Sequence, residues 1–474
     1  MNVLAIDQGT SATKALLVGP GAEVLGRGEV PVRTRSVGAD GVEADPEELF
    51  ESVLAAGRRA LAAAGAPAHA VALANQGETV LAWDRGTGRP LSPAIVWQDR
   101  RSGDVCARLA DRAADLAAIT GLPLDPYFAA PKMTWLREHL TTEGTVTTTD
   151  TWLLHRLGAR YVTDAATASR TMLLDLDSAQ WSAAACAAFG LDPAELPAVA
   201  DCAGIAGETS LFGSALPIAG IAVDQQAALL AEGCLAAGDA KCTYGTGAFL
   251  LVTTGSAAVR SGSGLSASVA WRLGGAATYC LDGQVYTAGS ALRWLAGIGV
   301  LGAPSELDAV AGTVPDTGGV TFVPALAGLG APYWAPGARG LLSGLNLGTS
   351  RGHLARAVAE GIAASVAVLV SAACDDLGRP LTALRVDGGL TRSRLLMQAQ
   401  ADLLQRPVLI CRTPDATALG VAALARIGTG DANLAGAVGT AEVEAIIEPA
   451  ITADQAAERV SVFRSAIDLT LAGR

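Results

Sequence analysis

The stretch Val3-Leu4-Ala5-Ile6-Asp7-Gln8-Gly9-Thr10 is the most informative part of this chain. Four apolar residues, typical of a buried strand, run directly into a tight Gly-Thr turn. The same order returns about half the chain later, where Lys241–Tyr244 leads into Gly245-Thr246-Gly247 and the apolar run Ala248–Val252. A strand and turn repeated at half the chain length predict two related domains, each with a glycine-rich hairpin at a shared cleft. Two unrelated hairpin turns would give the same pattern, and that alternative stays open at this point.

The two Gly-Thr turns have the chemistry of a phosphate-binding site. Glycine lets the backbone approach a ligand closely, and consecutive N–H groups with a threonine hydroxyl form a concave set of donors. Lys14, four residues after Thr10, could reach a terminal phosphate oxygen, or it could be an ordinary surface lysine. Asp7 could hold Mg²⁺ through water, because Mg²⁺ keeps most of its waters, or it could merely cap the turn. The sequence has no P-loop or dinucleotide-binding motif, so these hairpins would have to bind the phosphate.

The composition limits the classes of partner. With 474 residues, of which 50% are hydrophobic and 17% charged, the chain is long enough for two or three domains with buried cores. Its net charge of −12 argues against nucleic acid or an anionic membrane as a partner, because both require a basic surface. The negative charge of an anionic ligand would have to be balanced by a few side chains, backbone donors and a divalent cation.

Three features indicate a cytoplasmic protein. The eight cysteines have no C-x-x-C spacing, so we interpret them as small core residues of a reducing compartment, not as zinc ligands or disulfides. The N-terminus has no basic segment before Asp7 and does not resemble a signal peptide. The apolar stretch at 362–374 is expected to be too short to span a bilayer.

Hydrophobic periodicity predicts an α/β order that restarts near the middle of the chain. In the first half we expect a helix after Asp45, with Glu48 as a capping-box partner, a hairpin at 79–97, and strands at 3–6, 14–18, 24–32 and 71–74. In the second half we expect helices at 290–295, 393–404 and 452–471 and strands at 241–254, 266–273, 278–281 and 384–386. The predicted domains are 1–235 and 236–474, with the ligand in the cleft between them.

Several loops mix carboxylate, amide and aromatic side chains. They are 75–79, 97–101 and 125–127, and such sets bind small hydroxylated molecules, although any one of them alone is more often structural. Asp224 follows an apolar strand and precedes an apolar helix. At the edge of a cleft its carboxylate would suit a general base for a hydroxyl nucleophile, but capping the helix is an equally simple role.

Taken in order, these motifs resemble the FGGY family of carbohydrate kinases and, within it, the glycerol kinase group. The segments that carry the resemblance are 5–10, 75–83, 94–101, 121–127, 222–229, 241–249, 325–334 and 386–389. The resemblance implies two related actin-like ATPase domains of the ribonuclease H-like type with an interdomain cleft. It also implies transfer of the γ-phosphate of ATP, with Mg²⁺, to a hydroxyl of a polyol or sugar.

The family pattern assigns roles residue by residue. Asp224 matches the catalytic base. The positions that match the substrate site are Gly77, Glu78, Trp97, Tyr127, Asp224 and Gln225. The positions that match the nucleotide site are Thr10, Ser11, Lys14, Thr246, Gly289, Arg293, Gly389 and Ser393.

The chain departs from that pattern at the substrate site. Glycerol kinases carry an arginine where this chain has Gly77, so its donors are absent and space beside Glu78 is expected to favour a four- or five-carbon polyol or ketose. The counter-hypothesis is that Arg100, Arg101 or water supplies the donor and glycerol remains the substrate. At the nucleotide site, Ala12, Lys14, Arg293 and Ser393 also differ from the usual residues.

Two other classes share this fold. An actin-like ATPase acting as a chaperone or filament has no use for a polyol pocket, and a silent ligand sensor has no use for Asp224. The sequence leaves open whether the chain forms a homo-oligomer, and it lacks the basic loop through which some bacterial glycerol kinases are regulated.

Overall fold

The computed structural model describes residues 1–413, 415–439 and 442–472 and contains two large sheets. In spatial order, the strands of the first sheet are Ala203–Thr209, Leu216–Val223, Ala70–Asn75, Val3–Gln8, Ala12–Val18 and Val24–Pro31. In the same direction, the strands of the second sheet are Val443–Ile447, Val408–Cys411, Leu384–Asp387, Ala240–Tyr244, Ala248–Gly255, Ala276–Val285 and Ser266–Leu273.

The two sheets share one topology. In each, the strand that leads into a Gly-Thr turn is central: it pairs antiparallel with the strand after the turn and parallel with a later strand on its other side. A second parallel strand and an antiparallel edge strand complete both sheets on that side. The prediction of two related α/β domains is therefore confirmed, and the repeated turns occupy equivalent places in them.

Four smaller sheets accompany the two large ones in the described residues. One has five strands, in the order Thr34–Val37, Gly41–Ala44, Ala94–Ile95, Val80–Trp83 and Thr145–Thr148. The hairpin expected at 79–97 is present in irregular form: Trp83 pairs with Pro90 beside the turn and Val80 with Ile95 near the ends. On its other edge Val80–Trp83 pairs along its length with Thr145–Thr148. Three two-stranded pairs are Val162–Asp164 with Ala198–Ala200, Leu174–Asp175 with Gln180–Trp181, and Thr321–Val323 with Leu341–Ser343.

Helices cover the sheets. In the first half they are Pro46–Ala64, Gly103–Arg108, Ala113–Thr120, Ala129–His139, Thr149–Leu157, Ala165–Ser169, Ala183–Ala188 and Asp224–Ala231. In the second half they are Gly289–Gly297, Leu307–Ala311, Arg351–Leu377, Arg394–Leu404, Ala416–Gly428, Leu434–Ala437 and Ala453–Ala472. Short 3₁₀ turns lie at Ala110–Arg112, Pro193–Glu195, Pro304–Glu306 and Gly389–Arg392.

The first long helix starts as its sequence predicts, with one difference. The Asp45 side chain accepts a hydrogen bond from the Glu47 amide at 2.9 Å, and Gly65 ends the helix at a φ of 60°. Glu48, expected to complete a capping box, instead accepts hydrogen bonds from the backbone and Nε of Arg33, the latter at 3.2 Å. The exposed Arg33 thus binds the Glu48 carboxylate in place of the backbone N–H of the capping residue.

The helix Ala416–Gly428 joins the two halves. It belongs to the second half by sequence but packs on the sheet of the first half and against helix Asp224–Ala231. At the crossing, a Cβ on Gly420 would lie 1.8 Å from the carbonyl oxygen of Ala227, so only glycine fits there. The contact fixes helix Asp224–Ala231, and with it Asp224, between the two halves.

The apolar stretch at 362–374 proves to be part of a longer helix. The helix Arg351–Leu377 has 27 residues, which by length and composition could cross a membrane, so the expectation that it is too short was wrong. In the structure, 78% of its most apolar window is buried inside the protein. It packs against strands of the second sheet and helix Arg394–Leu404 as a core helix.

Candidate functional site

A cleft with an empty volume of about 1250 Å³ lies between the two domains. Both Gly-Thr turns face it, through Thr10 and Ser11 on one side and Thr246 and Gly247 on the other. The remaining predicted site residues that line it are Gly77, Glu78, Trp97, Tyr127, Asp224, Gln225 and Arg293. Residues almost 300 positions apart in sequence therefore meet at one cavity.

The first turn connects the two ends of the cleft. Its Thr10 hydroxyl donates to Gln76 Oε1 at 3.1 Å and accepts a hydrogen bond from the indole Nε1 of Trp97 at 2.9 Å. Asp7 and Lys14 are directly opposed in the antiparallel pair that flanks the turn, so their side chains share one face of the sheet. Lys14 is partly exposed and lies 3.5 Å from Asp415, which also pairs with Arg27.

The second turn is packed against two glycines. The amide of Gly289 donates to Gly245 O at 3.0 Å, and a Cβ on Gly289 would lie 2.6 Å from that oxygen. Gly388 has a φ of 93°, and a Cβ there would lie 2.4 Å from Tyr244 O. These close approaches explain why the chain needs glycine at both points. They place Gly289 and Gly389 beside the turn that carries Thr246.

Ser393 has structural partners in this structure. Its hydroxyl caps helix Arg394–Leu404 by accepting from the Leu396 amide at 3.1 Å, and it donates to the carboxylate of Asp308. The same carboxylate accepts from the Arg394 amide at 2.8 Å. The nucleotide role of Ser393 remains a prediction, with a competing helix-capping role now visible.

A smaller chamber opens beside the cleft, with an empty volume of about 360 Å³. Glu78, Tyr127, Asp224 and Gln225 line both cavities. The Trp97 ring meets the rings of Tyr127 and Phe249 edge-on, at centroid distances of 5.8 and 6.4 Å. Carboxylate, amide and phenol groups against an aromatic wall form a set that binds hydroxyl groups and covers a carbon skeleton.

Asp224 is the first residue of its helix, not the cap, since Val223 occupies the capping position. Its Oδ1 accepts a hydrogen bond from the Gln225 amide at 2.7 Å. Burial raises the pKa of Asp224 to about 6, and the charge of Glu78 adds to the increase. The carboxyl group is therefore mostly ionised at neutral pH yet basic enough to accept a proton.

Glu78 is held by a buried arginine. Arg170 Nε donates to Glu78 Oε1 at 2.6 Å, and its Nη1 pairs with Asp282 of the second domain. Glu78 has a φ of 58°, a conformation that is uncommon for a residue other than glycine and is found preferentially at functional sites. The ion pair fixes a carboxylate that lines both cavities.

Asp7 suits a water-mediated cation. Burial raises its pKa to about 7, and the charges of Asp224 and Asp415 contribute to the increase while Lys14 opposes it. Within the described ranges, no three His, Cys, Asp or Glu side chains form a cluster that would hold a metal directly. A hydrated Mg²⁺, which takes few carboxylates, would relieve the repulsion between these acids, so the residues fit the ion.

The space beside Gly77 is smaller than the sequence suggested. A Cβ on Gly77 would lie 2.9 Å from Cγ2 of Val223, so a valine methyl group takes part of the space beside Glu78. Arg100 donates to Asp125 at 2.8 Å and stacks over Tyr286, whereas Arg101 pairs with Asp99 at 2.7 Å and Glu43 at 3.0 Å. Both arginines proposed as substitutes for the missing donor are thus engaged elsewhere.

The structure adds residues that the sequence reasoning missed. Phe249 and Tyr286 line the cleft, together with Gln76 and Gln98 from the loops 75–79 and 97–101 that the sequence indicated. Phe249 follows the second turn by two residues, so its alternation along the strand could have placed it at the cavity. Arg170 lies in a segment with no recognisable motif, and only the fold brings it to Glu78.

Fold and site together define a two-domain phosphotransferase of the actin-like ATPase type, with an alcohol group as acceptor. The models of the N-terminal and C-terminal domains of the FGGY family of carbohydrate kinases match residues 2–231 and 240–429. The chain belongs to this family and is an ATP-dependent carbohydrate kinase.

Individual relatives agree with this assignment. Glycerol kinase from Thermus brockianus is 45% identical over 449 residues, which is 91% of this chain and 91% of the relative. The crystal structure of Plasmodium falciparum glycerol kinase with ADP superposes with a TM-score of 0.92 at 29% identity, covering 99% of this chain and 98% of that one. A xylulose kinase from Rhodospirillum rubrum gives a TM-score of 0.86 at 27% identity, covering 99% and 98% of the two chains.

Proposed function

We propose that the protein transfers the γ-phosphate of ATP to a terminal hydroxyl of a small polyol or ketose bound beside Asp224. The observation that carries this proposal is the position of Asp224, which lines both the interdomain cleft and the smaller chamber. A base at that junction lies between a phosphate donor on the turns and a hydroxylated acceptor in the chamber.

In this mechanism Asp224 accepts the proton of the substrate hydroxyl as its oxygen bonds to the γ-phosphorus. The bond between that phosphorus and the β,γ-bridging oxygen breaks, and ADP leaves. Its raised pKa, about 6, makes it a better proton acceptor than an ordinary aspartate while leaving it mostly ionised at neutral pH. Glu78 and Gln225 orient the acceptor, and the rings of Trp97 and Tyr127 cover its carbon chain. Correct orientation of the acceptor contributes to the rate in addition to the proton transfer.

The nucleotide would be held by both turns. Backbone amides and hydroxyls at Thr10, Ser11 and Thr246 suit phosphate oxygens, and the charges of Lys14 and Arg293 would complement them. We assign Gly289 and Gly389 to the walls of this subsite. Asp7 would hold Mg²⁺ through water, and the bound ion would neutralise charge on the phosphates.

For the acceptor we favour a four- or five-carbon polyol or ketose over glycerol. Gly77 offers no side-chain donor, and Arg100 and Arg101 are engaged with carboxylates. Glycerol itself is the second candidate, favoured by glycerol kinases that are 41–45% identical over at least nine-tenths of the chain. Val223 supports this second candidate in part, because its methyl group reduces the vacated space.

A coupled assay of ADP release tests the proposal. With Mg-ATP, the wild type is expected to turn over only when an acceptor is added, and the panel should include glycerol, erythritol, other polyols, ribulose and xylulose. Closure of the two domains would exclude water, so hydrolysis without an acceptor should be slow. Rapid ATP hydrolysis that no acceptor alters would instead indicate the chaperone-like class, and no turnover at all would indicate a sensor.

Three further expectations belong to this proposal. We place the enzyme in the cytoplasm, where ATP and reduced thiols are available. All eight cysteines lie within the described residues and are free thiols, as a reducing compartment requires. The domain boundary near 235 remains a prediction, which limited proteolysis can test. Self-association into a homo-oligomer also remains a prediction, which light scattering can test.

A further inference from the structure

Lys241 is a buried lysine to which the proposed phosphate transfer assigns no role. It lies on strand Ala240–Tyr244, directly before the second Gly-Thr turn, and is fully buried. Its Nζ donates to Gln225 Oε1 at 3.0 Å and to Thr243 Oγ1 at 2.7 Å. Because Gln225 is on helix Asp224–Ala231 of the first domain, this bond joins the two domains.

The bond to Lys241 fixes the orientation of the Gln225 amide. An ammonium group has three donors and no acceptor, so the amide atom that faces it must be the carbonyl oxygen. The NH₂ end of Gln225 is therefore the end turned away from Lys241. In the part of the chain that the structure describes, no hydrogen bond is formed by this NH₂ group, and Gln225 lines both cavities.

Few side chains at this site can donate to a substrate oxygen: besides the Gln225 amide, the lining offers the Tyr127 hydroxyl and the Gln284 amide. Gly77 has no side chain, and the indole N–H of Trp97 is bonded to Thr10. Arg170 is engaged with Glu78 and Asp282. Glu78 and Asp224, when ionised, can only accept hydrogen bonds. A polyol hydroxyl that donates to one of these carboxylates still has an oxygen that needs a donor.

We propose that Lys241 is a positioning residue for the acceptor substrate: it holds the Gln225 amide so that its NH₂ group donates to a hydroxyl oxygen of the polyol. This inference rests on the proposed function, since it requires a polyol in the chamber. The buried positive charge also acts on Asp224, whose pKa it lowers against the effect of burial. Lys241 thereby connects the acceptor site to the strand that carries the second turn.

Three variants separate this role from a merely structural one. Lys241→Met removes the ammonium at similar length, Lys241→Gln keeps a neutral donor, and Thr243→Val removes the other partner of the same ammonium as a matched control. Polyol binding is measured by calorimetry without nucleotide, using the best acceptor of the wild type, and kcat and KM are measured for both substrates. Circular dichroism and thermal denaturation verify that each variant is folded.

We expect Lys241→Met to weaken polyol binding and raise the polyol KM by about tenfold, the effect of losing one oriented donor. The KM for ATP should change much less. Lys241→Gln should recover part of the affinity, and Thr243→Val should stay close to the wild type. If Lys241→Met does not fold, the comparison of Lys241→Gln with Thr243→Val decides.

Wild-type polyol affinity in a folded Lys241→Met or Lys241→Gln variant would overturn the inference alone. An equal loss for Thr243→Val would also overturn it, because that result would indicate a general packing role. If the wild type binds no polyol and releases no ADP, the proposed function fails and the inference fails with it. The two failures are therefore distinguishable by the behaviour of the wild type.

Discussion

The indole nitrogen of Trp97 donates a hydrogen bond to the hydroxyl of Thr10 at 2.9 Å. Trp97 is a wall of the proposed acceptor pocket, and Thr10 belongs to the turn proposed to bind phosphate. The bond is thus a direct physical connection between the two substrate sites. It predicts that a substitution in the acceptor pocket also weakens the binding of the nucleotide.

Trp97→Phe tests that connection, because it keeps an aromatic wall and removes only the donor. A hydrogen bond of this kind contributes about 0.5–1.5 kcal/mol, so KM for both ATP and polyol should rise about two- to tenfold. The matched control is Trp181→Phe, because the Trp181 indole also donates one hydrogen bond, to the Pro197 carbonyl at 2.7 Å. An increase in the polyol KM with an unchanged ATP KM would show that the two sites are not connected through this bond.

Asp224→Asn is expected to reduce kcat by about 10²–10⁴-fold, the usual contribution of a positioned general base. Asparagine can still accept from the Gln225 amide, so the fold should persist, with a melting temperature close to that of the wild type. Asp45→Asn, an exposed carboxylate that caps the first long helix, should leave kcat unchanged. A kcat near normal for Asp224→Asn would assign a purely structural role to this carboxylate.

The pH dependence of kcat/KM follows from the state of Asp224. Its ionised form is the active one, and burial followed by the charge of Glu78 raises its pKa to about 6. At saturating Mg²⁺, which would keep Asp7 ionised, activity should therefore be full well above that value and fall about tenfold per pH unit below it. Glu78→Gln removes a negative charge that favours the protonated form, so the midpoint should move to lower pH.

The control for this shift is Glu51→Gln, an exposed carboxylate on helix Pro46–Ala64. It should leave the midpoint in place. Because Glu78 is also proposed to contact the substrate, the test uses the position of the midpoint and not the height of the profile. A midpoint that stays in place in Glu78→Gln would assign the acidic limb to another group.

Substrate choice is predicted to depend on Gly77 and Val223 together. A side chain at 77 would meet Val223 Cγ2, with Cβ at only 2.9 Å, so Gly77→Arg alone would be strained. The double variant Gly77→Arg, Val223→Gly should raise kcat/KM for glycerol by about ten- to a hundredfold, the value of a hydrogen bond from a charged group at 1.5–3 kcal/mol. Its kcat/KM for larger acceptors should fall.

Val223→Gly alone is the matched control, because it opens the corner without adding a donor. It should increase the preference for larger acceptors further. If glycerol is already the best wild-type substrate by a wide margin, the idea of an expanded pocket is wrong. The protein would then act on glycerol without the arginine.

The repeated strand-turn units, the α/β class and the family could all be predicted from the amino-acid sequence. Strand and turn signals are local, so Asp7–Thr10 and Tyr244–Gly247 could be located from apolar runs and glycines alone. The family pattern assigned the site residues by their positions along the chain, and ten of them line one cleft. The apolar stretch at 362–374 indicated only part of the core helix Arg351–Leu377, since the polar first turn hides the start of that helix.

Which distant side chains meet at the site could be seen only in the folded chain. Arg170 reaches Glu78 and Asp282, and Lys241 reaches Gln225, through packing between segments far apart in sequence. The same holds for Val223 beside Gly77 and for the engagement of Arg100 with Asp125. No local pattern encodes these pairs, because each joins segments that are separated in sequence and meet only in the folded chain. Packing between segments distant in sequence therefore determines which charged groups and hydrogen-bond donors face the site.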